Sequence, residues 1–221
     1  MTLGLPWPQI RTVLLDMDGT LLDLRFDNHF WRDLVPRRYA EQQGLSLEQA
    51  RVEVMSRTQA VEGTLAWYCL DYWTRELALD IVTLKREIEH LIAVHPHVLD
   101  FLRALRHAGK RVVLVTNAHP QSLALKMEKT QLGGFFDRIV CAHELGVVKE
   151  QAAFWPCLRE RERFDRSATL LVDDHLAILR TAEAYGIAYL VAVLKPDSAD
   201  PAKAPGEFPA IHDFSELLPV S

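Results

Sequence analysis

Asp16 and Asp18 stand two residues apart at the end of a short apolar run, within Leu14-Leu15-Asp16-Met17-Asp18-Gly19-Thr20-Leu21-Leu22-Asp23. The run from Thr12 to Leu15 reads as a buried parallel strand, and ligands bind beyond the carboxyl ends of such strands. Strand periodicity points both carboxylates to one side if the extended geometry continues that far. Carboxylates this close repel, so the pair calls for a metal or a shared proton. The purely structural alternative is an Asx turn or a helix cap. Two further apolar runs end in polar groups. Val113-Leu114-Val115 leads into Thr116 and Asn117, Leu170-Leu171-Val172 leads into Asp173 and Asp174, and Lys149 follows Gly146-Val147-Val148 between them. Taken singly these could be a turn, a helix cap and a solvated surface lysine. Taken together, in order and behind their strands, they favour chemistry. Four carboxylates without countercharge are costly to gather. A hard divalent cation resolves this, and Mg2+ suits a site that completes its octahedron with water and phosphate. The Thr116 hydroxyl and the Lys149 ammonium, with the Asn117 amide beside them, are donors fit for a phosphoryl group.

Only a parallel sheet would bring these groups to one edge. Apolar, β-branched runs recur at residues 12–15, 111–116, 138–141, 168–172 and 187–193. Helical periodicity lies between the later ones. Val98, Phe101, Leu102 and Leu105 form one stripe after Pro96 and before Gly109, and another helix around Leu176, Leu179 and Ala182 ends at Gly186. Strand–helix–strand alternation with right-handed crossovers predicts an α/β, Rossmann-like, three-layer core with a central parallel sheet. Residues 24–94 break the alternation. They predict helices over 28–43, 46–60, 64–77 and 83–92, with a capping box at Ser46-Leu47-Glu48-Gln49. So long a helical stretch exceeds a simple crossover, and it predicts an inserted all-helical domain at 24–94, with 1–23 and 95–221 as the core. Pro196 to Pro209 carries four prolines and reads as an extended surface loop before a short final helix.

Composition narrows the partners. The 221 residues suffice for one core with an insert. A net charge of −5 argues against broad electrostatic binding to nucleic acid or to a membrane surface. No apolar run approaches the ~18 residues needed to cross a bilayer, and Met1 to Ile10 shows no signal-peptide pattern. Cys69, Cys141 and Cys157 are odd in number and lack a CxxC pair, so spacing predicts neither a disulfide framework nor a zinc site. A cytoplasmic location is the expectation.

These motifs resemble those of the haloacid-dehalogenase superfamily of phosphohydrolases. All four of that family's motifs have a match between Asp16 and Asp174; the DxDGT match followed by Leu21-Leu22-Asp23 is the most specific. Two departures stand out: Glu150 replaces the proline often found after the lysine, and His175 follows the Asp173-Asp174 pair. Asp23 to Trp31, Leu65 to Trp73 and Leu114 to Pro120 further resemble the bacterial purine 5′-nucleotidase branch acting on GMP and IMP.

The resemblance implies a Mg2+-dependent phosphomonoesterase with a purine nucleotide as its small-molecule partner. It implies Asp16 as nucleophile forming an aspartyl-phosphate, and Asp18 as general acid and then base. The cation would be held by Asp16, the Asp18 backbone carbonyl and Asp174, with Asp173 a ligand or a neighbour acting through water. Thr116, Asn117 and Lys149 would hold the phosphate, and Gly19 would let the backbone approach it. The insert would be a cap over the sheet edge. On one cap helix the i, i+4 rule pairs Trp67 with Asp71 and Tyr68 with Tyr72. These aromatics either pack the cap's own core or stack on the purine, with Asp71 accepting from base N–H groups. His29 and Trp31 are further candidate contacts. A sugar-phosphate phosphatase or phosphomutase of the same superfamily is the first rival, and a non-catalytic nucleotide-binding protein the second.

Overall fold

Residues 3–221 are described by a computed structural model. Six strands form one sheet: β1 (Thr12–Leu15), β2 (Arg111–Thr116), β3 (Arg138–Cys141), β4 (Thr169–Asp173), β5 (Tyr189–Val193) and β6 (Ala210–Ile211). Their order is β3-β2-β1-β4-β5-β6 and every pairing is parallel. β1 is central, with Leu15 opposite Leu114 of β2 on one side and Val172 of β4 on the other. The chain leaves β1 toward β2 and later returns to β4 on its other flank. This reversal opens a crevice at the carboxyl ends of β1, β2 and β4. The expected α/β sheet is thus present, with a sixth strand that periodicity did not reveal because two residues carry no period. Apolar side chains alternate between the faces. Val13 and Leu15 pack against Phe101, Leu102 and Leu105, while Leu14, Val113 and Val115 pack against Phe154, Trp155 and Leu158.

Between β1 and β2 the chain is helical: α1 (Arg25–His29), a π-helical stretch (Phe30–Leu34), α2 (Val35–Gln43), α3 (Leu47–Ala60), α4 (Leu65–Tyr68), α5 (Leu70–Leu77) and α6 (Ile81–Glu87). Ser46 caps α3 through the capping box that its sequence announces, and Gly44 ends α2 in the left-handed region. These helices bury a cluster of their own, including Phe26, Phe30, Trp73, Leu77 and Ile81. At the neck, Asp23 N donates to Ala93 O (2.9 Å) and His95 N to Leu21 O (3.0 Å).

One predicted helix is broken. Residues 64–77 form two helices because Cys69 takes an extended conformation (φ −86°, ψ 111°). The Trp73 indole N–H donates to the Trp67 carbonyl (2.7 Å), which satisfies an acceptor freed at the break. Trp67/Asp71 and Tyr68/Tyr72 therefore do not pair across adjacent turns of one helix as expected.

The remaining helices are α7 (Val98–His107), α8 (Pro120–Thr130), α9 (Ala142–Leu145), α10 (Phe154–Arg161) and α11 (Leu176–Tyr185), with a final 3-10 turn at Phe214–Leu217. The proline-rich segment is more than a surface loop. Pro196 O accepts from Leu24 N (2.8 Å), Ser198 N donates to Asp23 (3.0 Å), and the buried Asp197 accepts from Asn28 Nδ2 (2.6 Å). Polar groups that prolines leave unpaired along the segment thus strap it to the base of α1.

Candidate active site

β1 ends at Leu15, so the next residue, Asp16, emerges into the crevice. Lys149 rises beside it, fully buried, and its ammonium donates to Asp16 Oδ1 (2.5 Å) and Asp173 Oδ2 (2.8 Å). Asp173 gives its other oxygen to the backbone N–H of His175 (2.9 Å). Both oxygens of Asp173 thus have protein partners, which favours the indirect role over direct ligation. Asp16 differs: its Oδ2 is buried with no partner. One carboxylate oxygen from each of Asp16, Asp173 and Asp174 falls within a 4.8 Å cluster. Burial pushes the Asp16 carboxyl up to about 6, against the opposing pull of Lys149. Burial also raises Asp174, with the Asp16 charge adding to it. Lys149 is held cationic, because its two carboxylates outweigh the desolvation that acts to lower it.

Gly19 makes room for the acids. At φ +84° a Cβ built there would lie 2.8 Å from Asp174 Cγ, so a side chain would displace that carboxylate. Thr116 Oγ1 accepts from Ala118 N (3.0 Å), which leaves its own proton free to donate. Asn117 departs from expectation. Its amide Nδ2 donates to Glu150 (2.8 Å) and its Oδ1 accepts from Lys149 N (3.0 Å), so it braces the lysine, with one of its two N–H groups committed to Glu150. Glu150, which replaces the usual proline, also accepts from Tyr68 Oη (2.6 Å) and so joins the helical insert to the core.

Asp18 reveals what sequence reasoning missed. Lys126 of α8, fully buried, donates to Asp18 Oδ1 (2.6 Å) and to Asp27 (2.6 Å) of α1. Asp27 also accepts from the buried Lys85 of α6 (2.8 Å). Burial acts to raise Asp27, but the two ammoniums outweigh it and hold the carboxyl well below the usual range. Burial dominates at Asp18 and pushes it up to about 6. Lys203, from the proline-rich segment, donates to Asp174 Oδ2 (2.9 Å) and to its backbone carbonyl (2.8 Å). Asp27 falls within the Asp23–Trp31 stretch, but Lys85, Lys126 and Lys203 sit in no recognisable motif, and no local signal could have found those three lysines.

These groups floor a cavity of about 580 Å3 between insert and core. Asp16, Asp18, Thr116, Asn117, Lys149, Asp173 and Asp174 all line it, as do Trp31, Trp67, Tyr68 and Glu62 of the insert. Two expected contacts are elsewhere. His29 lies beside Asp33, one helical turn on (3.5 Å), and does not line the cavity. Asp71 is turned to His119 (3.7 Å), with its side chain 66% exposed. Trp31 meets the buried Trp73 edge to face at 5.4 Å, and Tyr72 meets the same indole at 5.0 Å, so these three aromatics do build the insert's own core.

A six-stranded parallel sheet whose switch point gathers this acid–lysine cluster under a helical insert defines a class. The family model described as haloacid dehalogenase-like hydrolase matches residues 10–186, and the chain belongs to that family. It is an enzyme, a phosphoric monoester hydrolase. It is 39% identical over 219 residues to the GMP/IMP nucleotidase YrfG of Escherichia coli (strain K12), covering 99% of each chain. The phosphoglycolate phosphatase of Pseudomonas putida is 26% identical, over 95% of this chain and 79% of that one. The fold matches a crystal structure of a HAD phosphatase from Thermococcus onnurineus with a TM-score of 0.78, at 22% identity, over 94% of this chain and 96% of that one.

Proposed function

We propose that the protein is a Mg2+-dependent phosphomonoesterase that hydrolyses purine nucleoside 5′-monophosphates, GMP and IMP foremost, through an aspartyl-phosphate on Asp16. The observation that carries this reading is the unpartnered, buried Oδ2 of Asp16 in the cavity floor, with the other oxygen gripped by Lys149. A free carboxylate oxygen held by a neighbouring cation is what an in-line attack on phosphorus needs. The similarity to a GMP/IMP nucleotidase supports the nucleotide.

The donor set fits Mg2+: hard oxygens only, one of them orphaned and buried, from residues that repel one another without a cation. Asp16, Asp174 and the Asp18 carbonyl would hold it, with Asp173 acting through Lys149 and water. When bound, it would shield the phosphate from the carboxylates and neutralise charge on the transferring group. Asp16 then attacks phosphorus while the bond to the ribose oxygen breaks. Asp18, with a carboxyl raised to about 6, is suited to deliver the proton to that oxygen. In the second half Asp18 takes a proton from water, whose oxygen attacks phosphorus and frees inorganic phosphate and Asp16. Thr116 and Lys149 donate to the phosphoryl oxygens throughout.

Residues 24–94 act as a cap domain that closes over the core formed by 1–23 and 95–221 and excludes water. Trp67 and Trp31 would supply faces for the base, and Glu62, which lines the cavity where Asp71 does not, would be the acid that accepts from its N–H groups. Three free thiols suit the reducing cytoplasm in which such nucleotides are found. A phosphate-release screen over nucleoside monophosphates and small sugar phosphates, with and without Mg2+, tests the reading. Stoichiometric phosphate from GMP and IMP, dependent on Mg2+ and on no bisphosphate activator, is the expected result. Preference for a sugar phosphate overturns the substrate assignment, and a bisphosphate requirement would reveal a mutase.

A further inference from the structure

A second cluster lies away from the acid site. Cys69 comes from the break between α4 and α5, His119 from the turn between β2 and α8, and His143 from α9. One donor atom from each falls within a common 4.8 Å cluster. The imidazoles of His119 and His143 meet edge to face, with centroids 5.0 Å apart and planes at 84°.

Each member is set up as a ligand. The Cys141 thiol donates to Ala118 O (2.9 Å), so its sulfur receives Nδ1–H of His143 at 3.7 Å. That leaves the lone pair of His143 Nε2, which is buried and has no partner. A ring with one nitrogen fixed by a protein neighbour and the other free is the arrangement that metal-binding histidines show. Cys69 is the N-cap residue of α5 and makes no side-chain capping bond. Its sulfur is therefore not committed to the helix backbone. Asp71 brings a carboxylate oxygen to 3.7 Å from His119 Nε2. The opposing feature is Gln121 N, which donates to His119 Nδ1 at 3.4 Å, near the limit of a hydrogen bond. Ligation through Nε2 puts the proton on Nδ1 and releases this weak contact.

We infer that Cys69, His119 and His143 form a site for a borderline-soft divalent cation of the Zn2+ type, its fourth position open to water on the side of the exposed Asp71. One sulfur and two ring nitrogens make a three-residue donor set for tetrahedral zinc, whereas Mg2+ prefers the all-oxygen cluster at Asp16. Cys69 and Asp71 belong to the insert, and His119 and His143 to the core. A cation here therefore pins the two together at one edge of the cavity, to which His119 contributes a wall. Sequence spacing predicted no zinc site because the ligands come from three distant segments.

The test is a Co2+ titration of the chelator-treated, full-length protein in excess Mg2+. The expected result is one equivalent bound with a thiolate-to-cobalt charge-transfer band and the intense visible bands of a tetrahedral ion, both bleached by Zn2+. Cys69→Ser loses the charge-transfer band, and His143→Gln weakens Co2+ binding by more than about tenfold. A weak octahedral spectrum, the same in wild type and Cys69→Ser, overturns the site. Should Cys69→Ser not fold, alkylation of the wild type decides. Stoichiometric Zn2+ slows modification of Cys69 if the site exists, and an unchanged rate overturns it. Neither readout needs turnover, so failure here is distinguishable from failure of the phosphatase reading.

Discussion

Asp16 and Gly19 carry the sharpest consequences at the scale of single residues. Asp16→Asn removes the proposed nucleophile and leaves shape intact, so phosphate release is expected to fall by at least about 10^3-fold. Near-ultraviolet circular dichroism should be unchanged, and residual turnover close to wild type would exclude Asp16 as the attacking group. Gly19→Ala meets two penalties: φ of +84° and a Cβ 2.8 Å from the Asp174 carboxylate. A cost of about 1–3 kcal/mol in urea unfolding is expected. It should come with weaker Mg2+ binding, because the residue that moves is a proposed ligand.

Between elements, two of the links that join insert to core differ in kind. Lys126 on α8 is a buried cation shared by Asp18 and Asp27. Lys126→Met strands Asp18 and leaves Asp27 with Lys85 alone, so a loss of about 3–5 kcal/mol is expected by equilibrium unfolding. Much of it should be recovered in the Lys126→Met/Asp18→Asn double variant, and an additive double variant would show that the charges do not interact. Tyr68 on α4 reaches Glu150 by a partly buried hydrogen bond of 2.6 Å. Tyr68→Phe removes only that bond, a cost of about 0.5–1.5 kcal/mol. The expected sign is faster hydrogen exchange across α4 and α5 and a lower kcat/KM. Unchanged exchange would mean that the bond does not hold the insert down.

The whole molecule responds to pH through its acid cluster. Burial raises Asp16 and Asp18 to about 6 in the folded chain, above the ordinary 3.8. A carboxyl raised on folding binds its proton more tightly when native. Its contribution to stability is therefore full below about pH 4 and is lost as pH climbs through about 6. Asp27 has the opposite sign, since its carboxyl is depressed by Lys126 and Lys85. Its contribution is present above about pH 4 and is lost as acid titrates it. In chelator, the thermal midpoint is thus expected to decline between pH 4 and 7 as Asp16 and Asp18 ionise, whereas Asp27 lowers it only below about pH 4. A Mg2+-induced rise in Tm should be larger at pH 7.5 than at pH 5, because the cation needs ionised ligands. Equal rises at both pH values would place Mg2+ binding elsewhere.

What the chain order determined was local. Lys149, in a turn after α9, was legible only by its place between the motifs, whereas an apolar run followed by a polar residue marks a strand end, so Asp16, Thr116, Asp173 and Asp174 were legible. They meet because parallel strands side by side bring their carboxyl ends to one edge. Helices over 24–94 were legible for a similar reason, since a 3.6-residue period is a property of neighbours. Tertiary structure alone decided the remainder. It made Asn117 a brace for Lys149, turned Asp71 and His29 out of the cavity lining, and split one helix at Cys69. It also buried Lys126, Lys85 and Asp27 as one charge network. A buried ion pair depends on which surfaces close over it, and that closure joins residues up to 108 positions apart, as between Asp18 and Lys126. Nothing in the spacing of a lone lysine records it.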